Sequence, residues 1–225
     1  MQRLTATALF EDVLHFFTHL EKGFLFTTWS FVTKPGISSL HYISGKRKRY
    51  QTPVSYFLIW TGLYIILHNI IVNYFHYQLS GEVITQLDKS GQANMMLRKH
   101  FTLFIIPAVF CSALSLYFIL AKPKYNFTEM VALGLYGGGT YFMMLFLSDF
   151  ILGFIFTVNV LTTPVFLWQA ALSFLFNLWL SYDVFKRAQL RLFWIRLVFS
   201  VSLVAISGWL ILFYLPIVWE YFETH

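Results

Sequence analysis

Three groups of residues have the types and spacing to do chemistry. Glu11, His15 and His19 recur every fourth residue, so a helix places all three on one face, and histidines at that spacing can hold a metal ion. A metal site also needs further ligands in a dry, fixed setting. Here the stripe continues through Asp12, Thr18 and Lys22 opposite Leu9, Phe10, Val13, Leu14, Phe16, Phe17 and Leu20, the pattern of an amphipathic helix with a solvated polar face. No metal and no cofactor is expected. The second group is polar residues inside apolar runs: His68, Asn69 and Asn73, with His76 just beyond, and Asp149 at the end of another run. Ionisable groups in such runs are costly and often belong to proton or ligand pathways. A neutral His68 bonded to a neighbouring helix is the plainer reading and the one adopted. Asp149 has no basic neighbour in sequence, and water, Arg98 or Lys99 are its expected partners. The third group is Lys46-Arg47-Lys48-Arg49-Tyr50, placed immediately before an apolar run. Four cations there attract anionic headgroups by about 1 kcal/mol each, and they equally serve as an anchor that resists translocation.

The elements that must position these residues follow from composition. Of 225 residues, 58% are hydrophobic, 20% aromatic and only 12% charged. Soluble domains carry about twice that share of charge. This excludes an ordinary soluble enzyme, a disordered tail and a disulfide scaffold, the last also because Cys111 is the single cysteine. The expected fold class is an all-α integral membrane protein. About five transmembrane helices are expected, near residues 53–75, 101–121, 128–150, 164–182 and 195–219. They follow a cytoplasmic amphipathic and basic lead-in over residues 1–50, with the transmembrane domain over 51–225. The run from 150 to 179 is too long for one span, and it is divided at Thr157-Val158-Asn159 and Thr162-Thr163-Pro164. Within the lead-in, a short helix from Ile37 to Ile43 should end at Gly45.

The net charge of +6 would suggest nucleic acid in a soluble protein. Here thirteen of the sixteen Lys and Arg fall on alternate sides of the expected spans, on the side of the N-terminus. The positive-inside rule then puts the N-terminus in the cytoplasm and the C-terminus outside, and no nucleic acid is expected as a partner. Tyr50 and Trp60 should sit near the interface, as aromatic belts do. Within the third span, Gly134 and Gly138 make a small-xxx-small face suited to helix packing, and Gly137 to Gly139 soften the helix. Asp183 stands three and four residues before Lys186 and Arg187, the spacing of a local ion pair. Glu129 suits a helix N-terminus.

The run Lys34-Pro35-Gly36, a short helix, then Gly45-Lys46-Arg47-Lys48-Arg49-Tyr50 leading through Pro53 into the first span resembles an uncharacterised bacterial membrane family common in Bacteroidota. The resemblance covers roughly residues 20–75. Many members of that family begin with a Cys-x-x-Cys zinc ribbon, which this sequence does not have. A basic amphipathic lead-in before five spans is also similar, more faintly, to the Yip family. Neither resemblance implies an activity or supplies catalytic residues.

No GxSxG, HExxH, phosphate-binding glycine loop or pair of intramembrane aspartates is present. The expectation is therefore a non-enzymatic polytopic protein of a bacterial inner membrane, with a scaffold or lipid- and partner-binding role at the cytoplasmic leaflet. Lys46, Arg47, Lys48, Arg49 and Tyr50 would bind anionic headgroups or a protein partner, and Gly134 and Gly138 would pack helices. The alternative is an oligomeric channel or membrane-perturbing effector, such as an antiviral-system accessory. It requires His68, Asn69, Asn73 and Asn159 to face a shared axis. A third reading, an intramembrane lipid-acting enzyme, would use His68 or Asp149.

Overall fold

The computed structural model describes residues 23–78, 109–121, 124–160, 162–186 and 191–206, and among these residues every regular element is a helix. The expected amphipathic helix with Glu11, His15 and His19 lies outside the described residues, as do Arg98, Lys99, Arg187, the first part of the second span and the last part of the fifth.

Two short helices, α1 (residues 23–33) and α2 (Pro35–Ile43), precede α3 (Pro53–Gln78), α4 (Val109–Ala121), α5 (Phe127–Ile155), α6 (Thr163–Phe185) and α7 (Phe193–Ile206). Proline marks the first turn of α2, α3 and α6, where its missing N–H has no helical partner to lose. The chain leaves α2 through Gly45 at φ +92°, a left-handed conformation that glycine adopts without a Cβ clash. Helix α5 opens on Asn126, whose backbone N–H donates to the Glu129 carboxylate at 2.8 Å, one arm of a capping box.

Helix α5 is α-helical to Asp149 and continues as a π-helix over Phe150–Ile155. It thus runs five residues beyond the end expected near Phe150, over a stretch whose one weak helix former, Gly153, is buried where Ile71 of α3 packs closely against it. The chain then leaves the helix over residues 156–160, with Thr157 left-handed at φ 52°.

Contacts set the helix directions. Tyr56 Oη lies 3.1 Å from Thr140 Oγ1, and His68 reaches Asp149 further along both helices, so α3 and α5 run parallel. Gln169 reaches Asp149 while Leu180 faces Gly137, so α6 runs antiparallel to α5. Tyr117 packs on Phe127 while Val109 faces Gly134 and Gly138, which makes α4 antiparallel too. One core joins Leu116, Leu120, Met130, Leu133, Phe176, Leu180 and Leu197 from α4 to α7, and a second joins Phe57, Tyr64, Phe142 and Leu145 between α3 and α5.

The outside of the bundle is apolar as well. Leu58, Ile66 and Ile70 on α3, Leu147 and Phe154 on α5, Leu167, Trp168 and Leu175 on α6, and Trp194, Ile195 and Phe199 on α7 are all exposed. Pro53–Tyr74 and Phe127–Ile155 are long and apolar enough to cross a membrane. At 1.5 Å per residue they measure about 33 and 43 Å, against about 30 Å of hydrocarbon.

Candidate functional site

The first candidate is the end of the bundle where α3, α5 and α7 begin and α4 and α6 finish. Helix α2 is pinned there. The Gly36 N–H donates to Asp183 Oδ2 at 2.8 Å, which satisfies an orphan donor at the α2 N-terminus, and the other carboxylate oxygen pairs with Lys186. A Cβ on Gly36 would overlap the Asp183 backbone and carboxylate, so only glycine permits this approach.

Beneath the following turn lies an aromatic cluster. Phe31 stacks on Tyr136 with ring centroids 4.3 Å apart, and Tyr42 packs edge-on to Tyr136 at 5.1 Å. Gln51 is held at both backbone groups: its N–H donates to Thr27 Oγ1 at 2.8 Å, and its carbonyl accepts from Tyr136 Oη at 2.5 Å. Trp60 Nε1 donates to Thr28 Oγ1 at 3.2 Å. In the described part of the lead-in, residues 23–50, α1 and α2 share a core with α3 and α5.

The basic turn sits on this cluster. Its backbone is hydrogen-bonded, from Lys46 to the His41 carbonyl at 3.0 Å and from Tyr50 to the Arg47 carbonyl at 3.1 Å. Lys46, Arg47, Lys48 and Arg49 are all exposed, and among the described residues none of them is ion-paired with a carboxylate. Tyr50 does not join them. It is half-buried against Phe26 at 5.3 Å and against Phe31 and Tyr42 at 6.4 Å, because the turn directs its ring inward.

The second candidate lies toward the opposite end. His68 from α3 places Nδ1 2.8 Å from Asp149 Oδ2 on α5, and Gln169 Nε2 from α6 donates to Asp149 Oδ1 at 2.7 Å. His68 is 6% exposed and Asp149 0%. Helix register brings a histidine and an amide to the two oxygens of Asp149, partners that were not among those expected for it, while Arg98 and Lys99 lie outside the described residues. The π-helix starts at the next residue, a local widening frequent where a helix serves a special role. Chemically, the group joins an imidazole, a carboxylate and a carboxamide and ties three helices together. Gln169 was not singled out in the sequence. Its signal was a polar amide in the apolar run of the fourth expected span.

Asn69 and Asn73 are exposed on the outward face of α3, about 100° and 140° around the helix from His68. The four polar residues expected to share an axis are thus separated, with Asn159 in the turn before α6. The two packing glycines differ. A Cβ on Gly138 would lie 2.9 Å from the Phe57 ring, whereas one on Gly134 would meet Ser112 and Val109 at an ordinary 3.5 Å.

Fold and sites together define a helical bundle, apolar inside and out, with one strongly basic end. Residues 21–65 match the model of a family described as a protein of unknown function (DUF3667). The matched stretch takes in α1, α2, the basic turn and the first half of α3. No curated protein and no solved structure matches the chain.

Proposed function

We propose that this chain is a non-enzymatic, multi-span protein of a bacterial cytoplasmic membrane whose basic end faces the cytoplasm and engages anionic lipid headgroups. In this reading α3 to α7 cross the bilayer, the N-terminus is cytoplasmic and the C-terminus periplasmic. The observation that carries it is a segregation of charge. Among the described residues every Lys and Arg (Lys34, the run Lys46 to Arg49, Lys124, Lys186, Arg191 and Arg196) lies in segments at one end of the bundle. Asp149 is the only charged residue described toward the other end, and it is buried. An apolar exterior on α3, α5, α6 and α7 is unfavourable in water and favourable in lipid. Cations gathered at one end match the cytoplasmic leaflet both by the positive-inside rule and by its negative surface potential. Helix α1 adds Leu25 and Trp29, one turn apart and exposed, as a face that can enter the headgroup boundary.

The test is extraction of the full chain in mild detergent, followed by mass spectrometry of the lipids retained. Wild type should retain phosphatidylglycerol several-fold over a variant with Lys46, Arg47, Lys48 and Arg49 all changed to Gln. Equal retention would sink the headgroup reading and leave the run as a topology anchor.

A second reading, an oligomeric assembly or channel, draws on Asn69 and Asn73, whose carboxamides lie on a face otherwise carrying Ile66 and Ile70. Amides in lipid favour a neighbouring helix that can bond to them. Symmetric oligomers that dissociate on changing both to Leu, together with ion leakage from liposomes, would move this reading to first place.

A further inference from the structure

We infer that the basic end holds one anionic phospholipid in a defined site, with an acyl chain in a cleft between α3 and α5 and its phosphate on Arg47. The inference rests on the headgroup reading above and adds to it a place and a stoichiometry. Helices α3 and α5 touch closely where Tyr56 and Phe57 meet Gly138 and Gly139. Toward their N-termini they leave a cleft of about 310 Å³, walled by Pro53 and Val54 on one side and by Val131, Ala132 and Leu135 on the other. Tyr42 and Ile43, at the end of α2, and Arg47 close it on the basic side. That volume is at the lower end of the range for small-ligand sites.

The walls are almost wholly carbon. Water in such a space finds few partners, so an apolar occupant is favoured over solvent. Val54 is 55% exposed, so the cleft is open to the surroundings rather than sealed in the core. In a membrane the surroundings at this depth are acyl chains.

Arg47 supplies the other half of the site. Its Nε lies 3.4 Å from the Tyr42 carbonyl, and its guanidinium carbon sits 5.3 Å from the centre of the Tyr42 ring. These contacts keep the exposed guanidinium beside Tyr42 at the edge of the cleft. Its two terminal nitrogens meet no acceptor among the described residues, which leaves the paired donors that suit a phosphodiester. Lys46, Lys48 and Arg49 raise the local positive potential further. Glu129 also lines the cleft, and its carboxylate repels a second negative charge. One oxygen of Glu129 is taken by the Asn126 N–H, and its other oxygen and the Thr128 hydroxyl can accept from headgroup hydroxyls. The chemistry selects a monoanionic lipid with a hydroxyl-bearing headgroup, of which phosphatidylglycerol is the probe.

The experiment titrates the delipidated full chain in detergent with phosphatidylglycerol or phosphatidylcholine of identical chains and counts bound lipids by native mass spectrometry. Wild type should bind one phosphatidylglycerol with about ten-fold preference. Ala132→Phe and Val54→Trp fill the cleft from different helices, so misfolding of one leaves the other to decide. Each should lower occupancy about ten-fold while the chain stays monodisperse. Arg47→Gln should abolish the headgroup preference and keep chain uptake. If both filling variants bind as wild type while the quadruple Gln variant does not, adsorption is diffuse: the cleft site is overturned and the proposed function survives. If the quadruple variant also binds as wild type, both fall. If crosslinking places residues 9–22 of the same chain in the cleft, the lipid site is overturned by an internal occupant.

Discussion

His68 and Asp149, 81 residues apart in sequence, meet with Nδ1 2.8 Å from Oδ2 in the interior of the bundle. Gln169 holds the second oxygen of the same carboxylate, so α3, α5 and α6 converge on one side chain.

Removing the carboxylate takes a shared hydrogen-bond acceptor from α3 and α6 at once. Asp149→Ala should destabilise the chain by about 3 kcal/mol, since it removes the buried carboxylate on which His68 and Gln169 converge. Asp149→Asn keeps the shape but cannot accept from both neighbours at once, so its loss should be smaller. Unfolding by denaturant in detergent, read together with His68→Phe and the double variant, measures the coupling. Additive single effects would show that the contact contributes nothing as a pair.

Gly36 tests how α2 is held to α6. Gly36→Ala drives a methyl group into Asp183, so α2 must shift, at a cost of about 1–3 kcal/mol. Asp183→Ala keeps the space and loses the acceptor at the helix N-terminus, costing about 1 kcal/mol. Limited proteolysis between α1 and the basic turn reads both. Unchanged cleavage in Gly36→Ala would mean that α2 does not depend on this approach.

The glycines of α5 should respond with opposite signs. Gly134→Ala has room and gains helix propensity, so stability should hold or rise by up to about 1 kcal/mol. Gly138→Ala meets the Phe57 ring and should cost about 1–3 kcal/mol. Thermal unfolding of the two variants side by side decides the point.

Tyr50 should behave as a packing residue. Tyr50→Ala removes a half-buried ring from the aromatic cluster and should cost about 2 kcal/mol, with phosphatidylglycerol retention unchanged. Tyr50→Phe should leave both measurements near wild type. Lipid retention lost in Tyr50→Ala at full stability would return Tyr50 to the headgroup site.

Much of the helical character was legible along the chain, because a 58% apolar composition and its proline and lysine punctuation act locally. Pro53 and Pro164 fall in first helical turns, Gly45 ends α2 in a left-handed conformation, and Glu129 caps α5, each for a reason contained within a few residues. The distribution of Lys and Arg could be counted the same way. What the sequence did not contain was which side of each helix faces inward. In α3, Leu58 and Ile66 point outward while Phe57 and Ile71 are buried, so apolar periodicity carries no direction when lipid-like and core faces share one composition. Only packing resolved that. It turned Tyr50 inward to an aromatic cluster, separated Asn69 and Asn73 from His68, and brought His68 and Gln169 to Asp149. Those meetings depend on the relative register of three helices, and register is a sum of side-chain contacts that no single stretch of the chain encodes.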